Sequence, residues 1–442
     1  SDIDSFTPAG PDGSIIYAIG TWNSPCANDT PIDPYSPDGL LYDAGQAPRL
    51  WKSTDAGLTW QDRTAHVLDA ANLPDAGTGE YDDFLVLSAV AAAPDDPDVV
   101  VVAGYNRDGT AVVAGSHDGA GEFTWLGCGA VDGMILCASV SPTVGGTRYV
   151  AVGTADPLGG GKVWRYEAGR RWGESWDDTS DDAGWTATPL WSGDPSSILA
   201  VTGIHFSPHF REDGTVLAVV TARAEEPEGD MYTGYYLVAG KWESTCAWNT
   251  AAGFEGYPVL IREGHHTVHA PASPPALLLR DIANLAIPAD YDGDRWRSCT
   301  VLVAVNGSLV NPSSGAVTAE GGFLFIVEGA EPGRELLAGE DNPWVASIAY
   351  HGACDMQGRL MVGTSFPAAR TWDDILEWHA DGIPADPCCG GVPVLLSTKI
   401  EPCCPQWEQS ERPPSGQFNA QVAWSPDGET AWVSTSGRGR LW

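Results

Sequence analysis

Lysine is scarce in this chain, and no apolar run is long enough to cross a membrane as a helix. Lys and Arg together number 23 against 59 Asp and Glu, a formal net charge of −36. That shortage of positive charge excludes the partners that basic surfaces recruit, nucleic acid and anionic membranes. No charged-then-apolar leader stands at Ser1, so the chain is read either as one whose signal peptide has been removed or as part of a longer product. Four of the ten cysteines form two vicinal pairs, and none stands at C-x-x-C spacing, which argues for disulfides over a zinc-thiolate cluster.

What is present bounds the fold. The 442 residues are 43% hydrophobic and 10% aromatic, enough for one large all-β domain or two or three ordinary ones. Ten cysteines, the sequons at Asn28 and Asn306, and the excess of arginine over lysine fit an extracellular or cell-surface product. Seven segments share one pattern: a short apolar strand, a turn rich in Pro, Asp or Gly, and a second strand of Val, Ile and Ala. They begin at Ile3, Leu87, Leu136, Val201, Ile282, Val345 and Asn419; "LSAVAAAPDDPDVVVVAG" and "NAQVAWSPDGETAWVSTSG" are two of them. A third strand with an aromatic follows most copies, as in "PRLWKS", "KVWRYE", "GYYLVAGKW" and "GGFLFIVEG", then a turn and a short fourth strand. Four antiparallel strands repeated seven times predict an all-β fold, a single seven-bladed β-propeller of four-stranded blades with long inserted loops. The expected blades span roughly 1–64, 84–128, 134–190, 197–248, 276–339, 343–410 and 416–442, the last incomplete.

The octapeptide "STDAGLTW" (53–60) predicts a tight turn after the strand "PRLWK". Asp55 accepts hydrogen bonds from backbone N–H groups of its own turn, Gly57 takes positive φ, and Trp60 folds back as an apolar plug. The octapeptide also resembles the Asp-box, S-x-D-x-G-x-T-W, found between the third and fourth strands of propeller blades in sialidases, sortilin-type receptors, xyloglucanases and a photosystem assembly factor. The matching residues are Ser53, Asp55, Gly57, Thr59 and Trp60. Degenerate copies are "SDDAGWTA", with Ser180, Asp182, Gly184 and Thr186, and "SHDGAGEFTW" from Ser116, with an insertion before Thr124 and Trp125. The resemblance implies a propeller over essentially the whole chain, with the box holding a turn on the face opposite any active site. It implies no particular activity.

Long connections, from second strand to third or from one blade to the next, at 21–47, 64–83, 249–277, 306–321 and 405–417, are expected on the other face. Several other constellations invite a chemical reading. His265, His266 and His269 are close enough to share a metal, yet no carboxylate has a defined place beside them, and solvated loop histidines are the simpler reading. Asp290, Asp292 and Asp294 alternate as in calcium loops but lack the later bidentate glutamate, and fall where other blades carry a hairpin turn; no cofactor is expected, structural calcium at this turn being the alternative. Cys388 and Cys389 are expected to pair with Cys403 and Cys404 or nearby partners, stapling a hairpin, and Cys128 to pair with Cys137. Asp82, Asp83, Asp373, Asp374 and Glu377 are the carboxylates to test first if the chain is an enzyme; solvated acidic loops are the alternative.

Two functions follow. One is a noncatalytic extracellular propeller that binds itself, another extracellular protein or a glycan. No arginine triad, "RIP" segment or tyrosine–glutamate nucleophile pair of the sialidase type is found, and the chain has room for one propeller where the xyloglucanases use two. The seventh blade runs into Trp442 with only the start of its third strand, and an open β edge templates pairing, so self-association is expected. The alternative is a glycoside hydrolase or lyase whose carboxylates converge on the loop-rich face.

Overall fold

The computed structural model describes residues 2–22, 47–70, 85–106, 111–127, 131–155, 160–169, 172–182, 184–185, 198–225, 231–242, 246–249, 253–264, 283–310, 317–337, 344–353, 358–365, 394–397, 408–409 and 420–435. They are nearly all antiparallel β-structure, arranged in consecutive groups of strands. The first group is β1 (Asp2–Ala9), β2 (Ile15–Trp22), β3 (Ala47–Ser53) and β4 (Gln61–Asp62), followed by the short helix α1 (Thr64–Ala70). The second is β5 (Leu85–Ala93), β6 (Asp96–Asn106), β7 (Ala111–Ser116) and β8 (Thr124–Trp125). The third is β9 (Met134–Val140), β10 (Arg148–Ala155), β11 (Val163–Ala168) and β12 (Trp172–Asp178).

In the fourth group, β13 (Ile198–Phe206), the one-turn helix α2 (Phe210–Asp213), β14 (Thr215–Glu225), β15 (Met231–Trp242) and β16 (Cys246–Trp248) are joined by a further strand, β17 (Val259–Gly264), which also pairs with β15. A single pairing, Ala155 with Ala200, links the third and fourth groups into one nine-stranded sheet. The fifth group is β18 (Asn284–Ala286), β19 (Thr300–Val310), β20 (Val317–Glu328) and β21 (Arg334–Leu337). The sixth is β22 (Trp344–His351), β23 (Arg359–Ser365), β24 (Val394–Ser397) and β25 (Glu408–Gln409), and the last pair is β26 (Ala420–Trp424) and β27 (Ala431–Thr435).

Each of the seven strand–turn–strand copies is an antiparallel hairpin, β1–β2 through β26–β27. Their second strands are continuous apolar runs because both faces are covered: Val100, Val101 and Val102 on β6, and Val216 to Val220 on β14, are all buried. The apolar core is correspondingly divided into slabs, each lying between one group and the next. One packs Tyr17 and Ile19 against Val100 and Val102; another packs Leu217 and Leu237 against Val303 and Phe325. The first strands lie side by side in chain order, β1 next to β5, then β9, β13, β18, β22 and β26, and β26 returns to β1.

Two stretches expected to be loop are ordered secondary structure. Residues 64–70 form α1, and β19 and β20 pair from Thr300–Glu328 to Val310–Val317 with one register shift between Leu309 and Val310, so most of the supposed 306–321 loop is strand. The stretch Val305-Asn306-Gly307-Ser308-Leu309-Val310 extends the ladder to the length also reached by β14 and β15. No helix among the described residues is long and apolar enough to cross a membrane.

Candidate functional site

Many side-chain hydrogen bonds of the described residues fall in two places, the turns joining strands within a group and the seams between groups. In the turn between β3 and β4, the Ser53 hydroxyl donates to Asp55 Oδ1 (2.8 Å) and accepts from the Gly57 N–H (2.8 Å). The Asp55 carboxylate in turn accepts from the Thr59 N–H (2.8 Å) and hydroxyl (2.6 Å). The reversal this requires puts Ala56 at φ 57° and Gly57 at φ 88°. Trp60 does fold back, but through its indole N–H, which donates to Gly57 O (3.0 Å). Thr59 holds the Asp55 carboxyl below its ordinary range, first through the hydroxyl and then the N–H. Its lone pairs are occupied by its own turn, which is the chemistry of a staple rather than of a base.

Asp55→Ala should therefore lower the thermal midpoint by about 2–5 °C at pH 7. A carboxyl depressed in the folded state stabilises above its unfolded pKa and ceases to as pH falls through the folded value. Scanning calorimetry should accordingly show the variant and the parent converging at the acid end.

The same arrangement recurs between β7 and β8, despite the insertion. The Ser116 hydroxyl donates to Asp118 Oδ1 (2.8 Å) and accepts from the Ala120 N–H (3.0 Å), while Oδ1 accepts from the Gly121 (2.8 Å) and Glu122 (2.9 Å) N–H groups. In both turns serine reaches the N–H four residues on, and aspartate the N–H four residues beyond itself; the extra residues fall afterwards. The stretch from Ser180 is a correction to the sequence reading. It follows β12, the fourth strand of its group, instead of preceding it, and Ser180 bonds through its N–H and hydroxyl to Asp178. Asp182 lies near Cys246 with its carboxyl raised, chiefly by burial, and Gly184 is followed by the buried Trp185. Thr186 lies outside the described residues.

Every seam between groups carries contacts that span it. Tyr17 Oη donates to Pro97 O (2.8 Å) and Lys52 Nζ to Gly119 O (2.7 Å) between the first and second groups. Asp95, at the tip of the second group's first hairpin, accepts from Arg148 of the third group and from Arg211 of the fourth (2.6 Å). These two guanidinium groups and the Thr143 N–H hold its carboxyl below the ordinary range, against the burial that would raise it. Trp248 Nε1 donates to Thr179 O (3.0 Å) between the third and fourth groups. The Gly293 N–H donates to the buried carboxylate of Asp213 (2.8 Å) between the fourth and fifth. Val422 N donates to the Ser347 hydroxyl (2.8 Å) between the sixth and the last. The last pair returns to the first group by packing the Trp432 ring on Gly13, where a Cβ has no room.

The seam between the fifth and sixth groups corrects a second expectation. Asn306 is 2% exposed; its Nδ2 donates to Val345 O (2.8 Å) and its Oδ1 accepts from Val345 N (2.7 Å). An amide enclosed and bonded at both ends cannot carry a glycan in this fold. Cys137 is likewise a free thiol and not half of a disulfide with Cys128: its Sγ donates to Val201 O (3.4 Å) across the third seam, and burial pushes its pKa up to about 12. Asp294 pairs with Lys241 (2.6 Å), and Asp292 Oδ1 accepts from the Asp294 N–H (2.9 Å). With Asp290 they do not form a metal-binding group, and among the described residues no three His, Cys, Asp or Glu side chains do. Cys128, Cys388, Cys389, Cys403, Cys404, Asn28, His265, His266, His269, Asp82, Asp83, Asp373, Asp374 and Glu377 lie outside the described residues.

His205, on the first strand of the fourth group, is a titratable group that no motif marked; its ring is exposed to solvent.

No family model matches this chain, and no curated protein does. Among solved structures it is similar to a PL25 polysaccharide lyase, an ulvan lyase, at 8% identity and a TM-score of 0.44, covering 97% of this chain and 89% of that one. It is also similar to a glucose dehydrogenase, at 13% identity and a TM-score of 0.40, covering 82% of this chain and 97% of that one. A third is the Trypanosoma rangeli sialidase in complex with sialic acid, at 10% identity and a TM-score of 0.38, covering 99% of this chain and 53% of that one.

Proposed function

We propose that the groups are the blades of one seven-bladed β-propeller, divided near 1–64, 84–128, 134–190, 197–248, 276–339, 343–410 and 416–442, with Asp-box turns in the first two. The return of β26 to β1 supports the ring, and the bonding at 53–60 and 116–122 supports the turns. The propeller is a noncatalytic extracellular scaffold that binds copies of itself or another extracellular protein or glycan. The observation that carries this reading is the use of polar side chains as fasteners. Asp55 and Asp118 are engaged by their own turns, and Asp95, Asp213 and Asn306 by neighbouring groups. A ring bolted at each seam presents a rigid rim, and weak contacts repeated around such a rim build stable assemblies. The extracellular assignment rests on the acidity, the Asn28 sequon and the cysteines outside the described residues.

Imaging and mass measurement of the native particle test this reading, alongside a screen for polysaccharide turnover. Oligomers or filaments without turnover support it. A monodisperse monomer that turns over a polysaccharide, with activity abolished by one carboxylate substitution, replaces it with the hydrolase or lyase.

A further inference from the structure

Charge on this chain is unevenly committed. Only four of its 23 cationic residues are lysines, against 59 acidic ones. Every lysine and arginine whose side chain is described already has a partner inside the molecule. Some donate to carbonyl or amide oxygens, as Lys52 does to Gly119 O and Arg359 to Gly428 O (3.1 Å). Arg262 lies over the Phe323 ring, 3.2 Å from its centroid. The others pair with carboxylates, several of them across seams.

The acidic residues are placed the other way. Asp213 is the one carboxylate buried among the described residues. Glu122, Glu167, Glu331, Glu335 and Glu429 are exposed and form no ion pair among them. Among the described residues, the cations that could dilute this coat are thus already committed inside the molecule. Like charges on a folded surface repel one another more than in the expanded chain, and only solution ions remain to offset them. Screening between exposed carboxylates changes steeply with salt: the Debye length is about 10 Å at 0.1 M and about 3 Å at 1 M.

We propose that this fold is built for a strongly saline medium, its acidic coat compensated by a diffuse atmosphere of monovalent cations at molar concentration. The dependence belongs to the folded chain itself and holds whether the propeller is a scaffold or an enzyme.

Thermal unfolding of the full chain at pH 7 tests it, in KCl from 0.1 to 4 M, in 0.1 M KCl with 10 mM calcium or magnesium chloride, and in 0.1 M KCl with 1 M sucrose. The midpoint should rise by more than about 10 °C between 0.1 and 2 M KCl, well beyond the rise in sucrose. A flat or falling midpoint overturns the proposal. So does a gain matched by sucrose, which would assign the effect to exclusion of solute from the surface, or one completed by millimolar divalent ions, which would assign it to discrete sites. A variant carrying Glu122→Gln, Glu167→Gln, Glu331→Gln, Glu335→Gln and Glu429→Gln supplies the second measurement. Its midpoint at 0.1 M KCl should exceed the parent's and its salt dependence should be shallower; the same dependence as the parent would overturn the assignment to the acidic coat.

Discussion

Asn306→Ala is expected to destabilise the protein by about 2–4 kcal/mol, read as a shift of the urea midpoint at unchanged slope. The substitution removes two cross-seam hydrogen bonds and leaves Val345 N and Val345 O without the partners that Asn306 supplies. Asn306→Asp restores only half of the pairing, since one oxygen still accepts from Val345 N while the other faces a carbonyl. Ser308→Ala is the informative control. It abolishes the Asn306-Gly307-Ser308 sequon while keeping the Asn306 amide, so loss of a glycan and loss of the amide are read separately. Equal losses in Asn306→Ala and Ser308→Ala, with a glycan on the parent, would contradict the buried assignment.

The two uses of Asn306 show where sequence reasoning reaches and where it stops. A three-residue sequon is local, and so is hairpin chemistry: Pro, Asp and Gly between two apolar runs mark a turn with no knowledge of the rest of the fold. For that reason all seven first hairpins were legible, and so was the Ser53–Asp55–Thr59 turn, whose side-chain bonds reach no further than four residues. Asn306 and Val345 lie 39 residues apart, and nothing local announces that one caps the backbone of the other. Cys137 is a similar case: its partner is a carbonyl 64 residues away, so spacing to Cys128 was the only visible cue, and it misled. At Ser180 the residue types were right and the position wrong, because the motif does not encode which strand precedes it. The extended β19–β20 ladder was hidden by Gly307, Asn311 and Pro312, which read as loop in isolation although Gly307 sits within the ladder opposite Gly321. The acid-rich connections of the sequence reading lie outside the described residues, so the site legible here is the scaffold.

Replacing Asp213 should have the largest effect of any single carboxylate described here. It ends α2 and is 2% exposed, and its two oxygens serve three donors. Thr215 N donates to Oδ1 (2.8 Å), while the Ser207 hydroxyl (2.6 Å) and Gly293 N (2.8 Å) donate to Oδ2. Two of these bonds shape the first hairpin of the fourth group, and the third fastens it to the fifth. Lys241 Nζ reinforces the place by donating to Asp213 O (2.6 Å) and to Asp294 Oδ1 (2.6 Å). Asp213→Ala removes the acceptor from all three donors at once, and a buried hydrogen bond to a charged group contributes about 1.5–3 kcal/mol. Neighbours in one network do not add in full, so the expected loss is about 3–5 kcal/mol. Asp213→Asn should recover part of it, because one oxygen still accepts while the new amide meets donors. Hydrogen exchange locates the effect: the Gly293 and Thr215 N–H groups should lose protection in Asp213→Ala, while Val100 to Val102 on β6 keep theirs relative to global stability. A uniform loss across the chain, or a midpoint within about 1 kcal/mol of the parent, would show that the carboxylate is not the fastener of this seam.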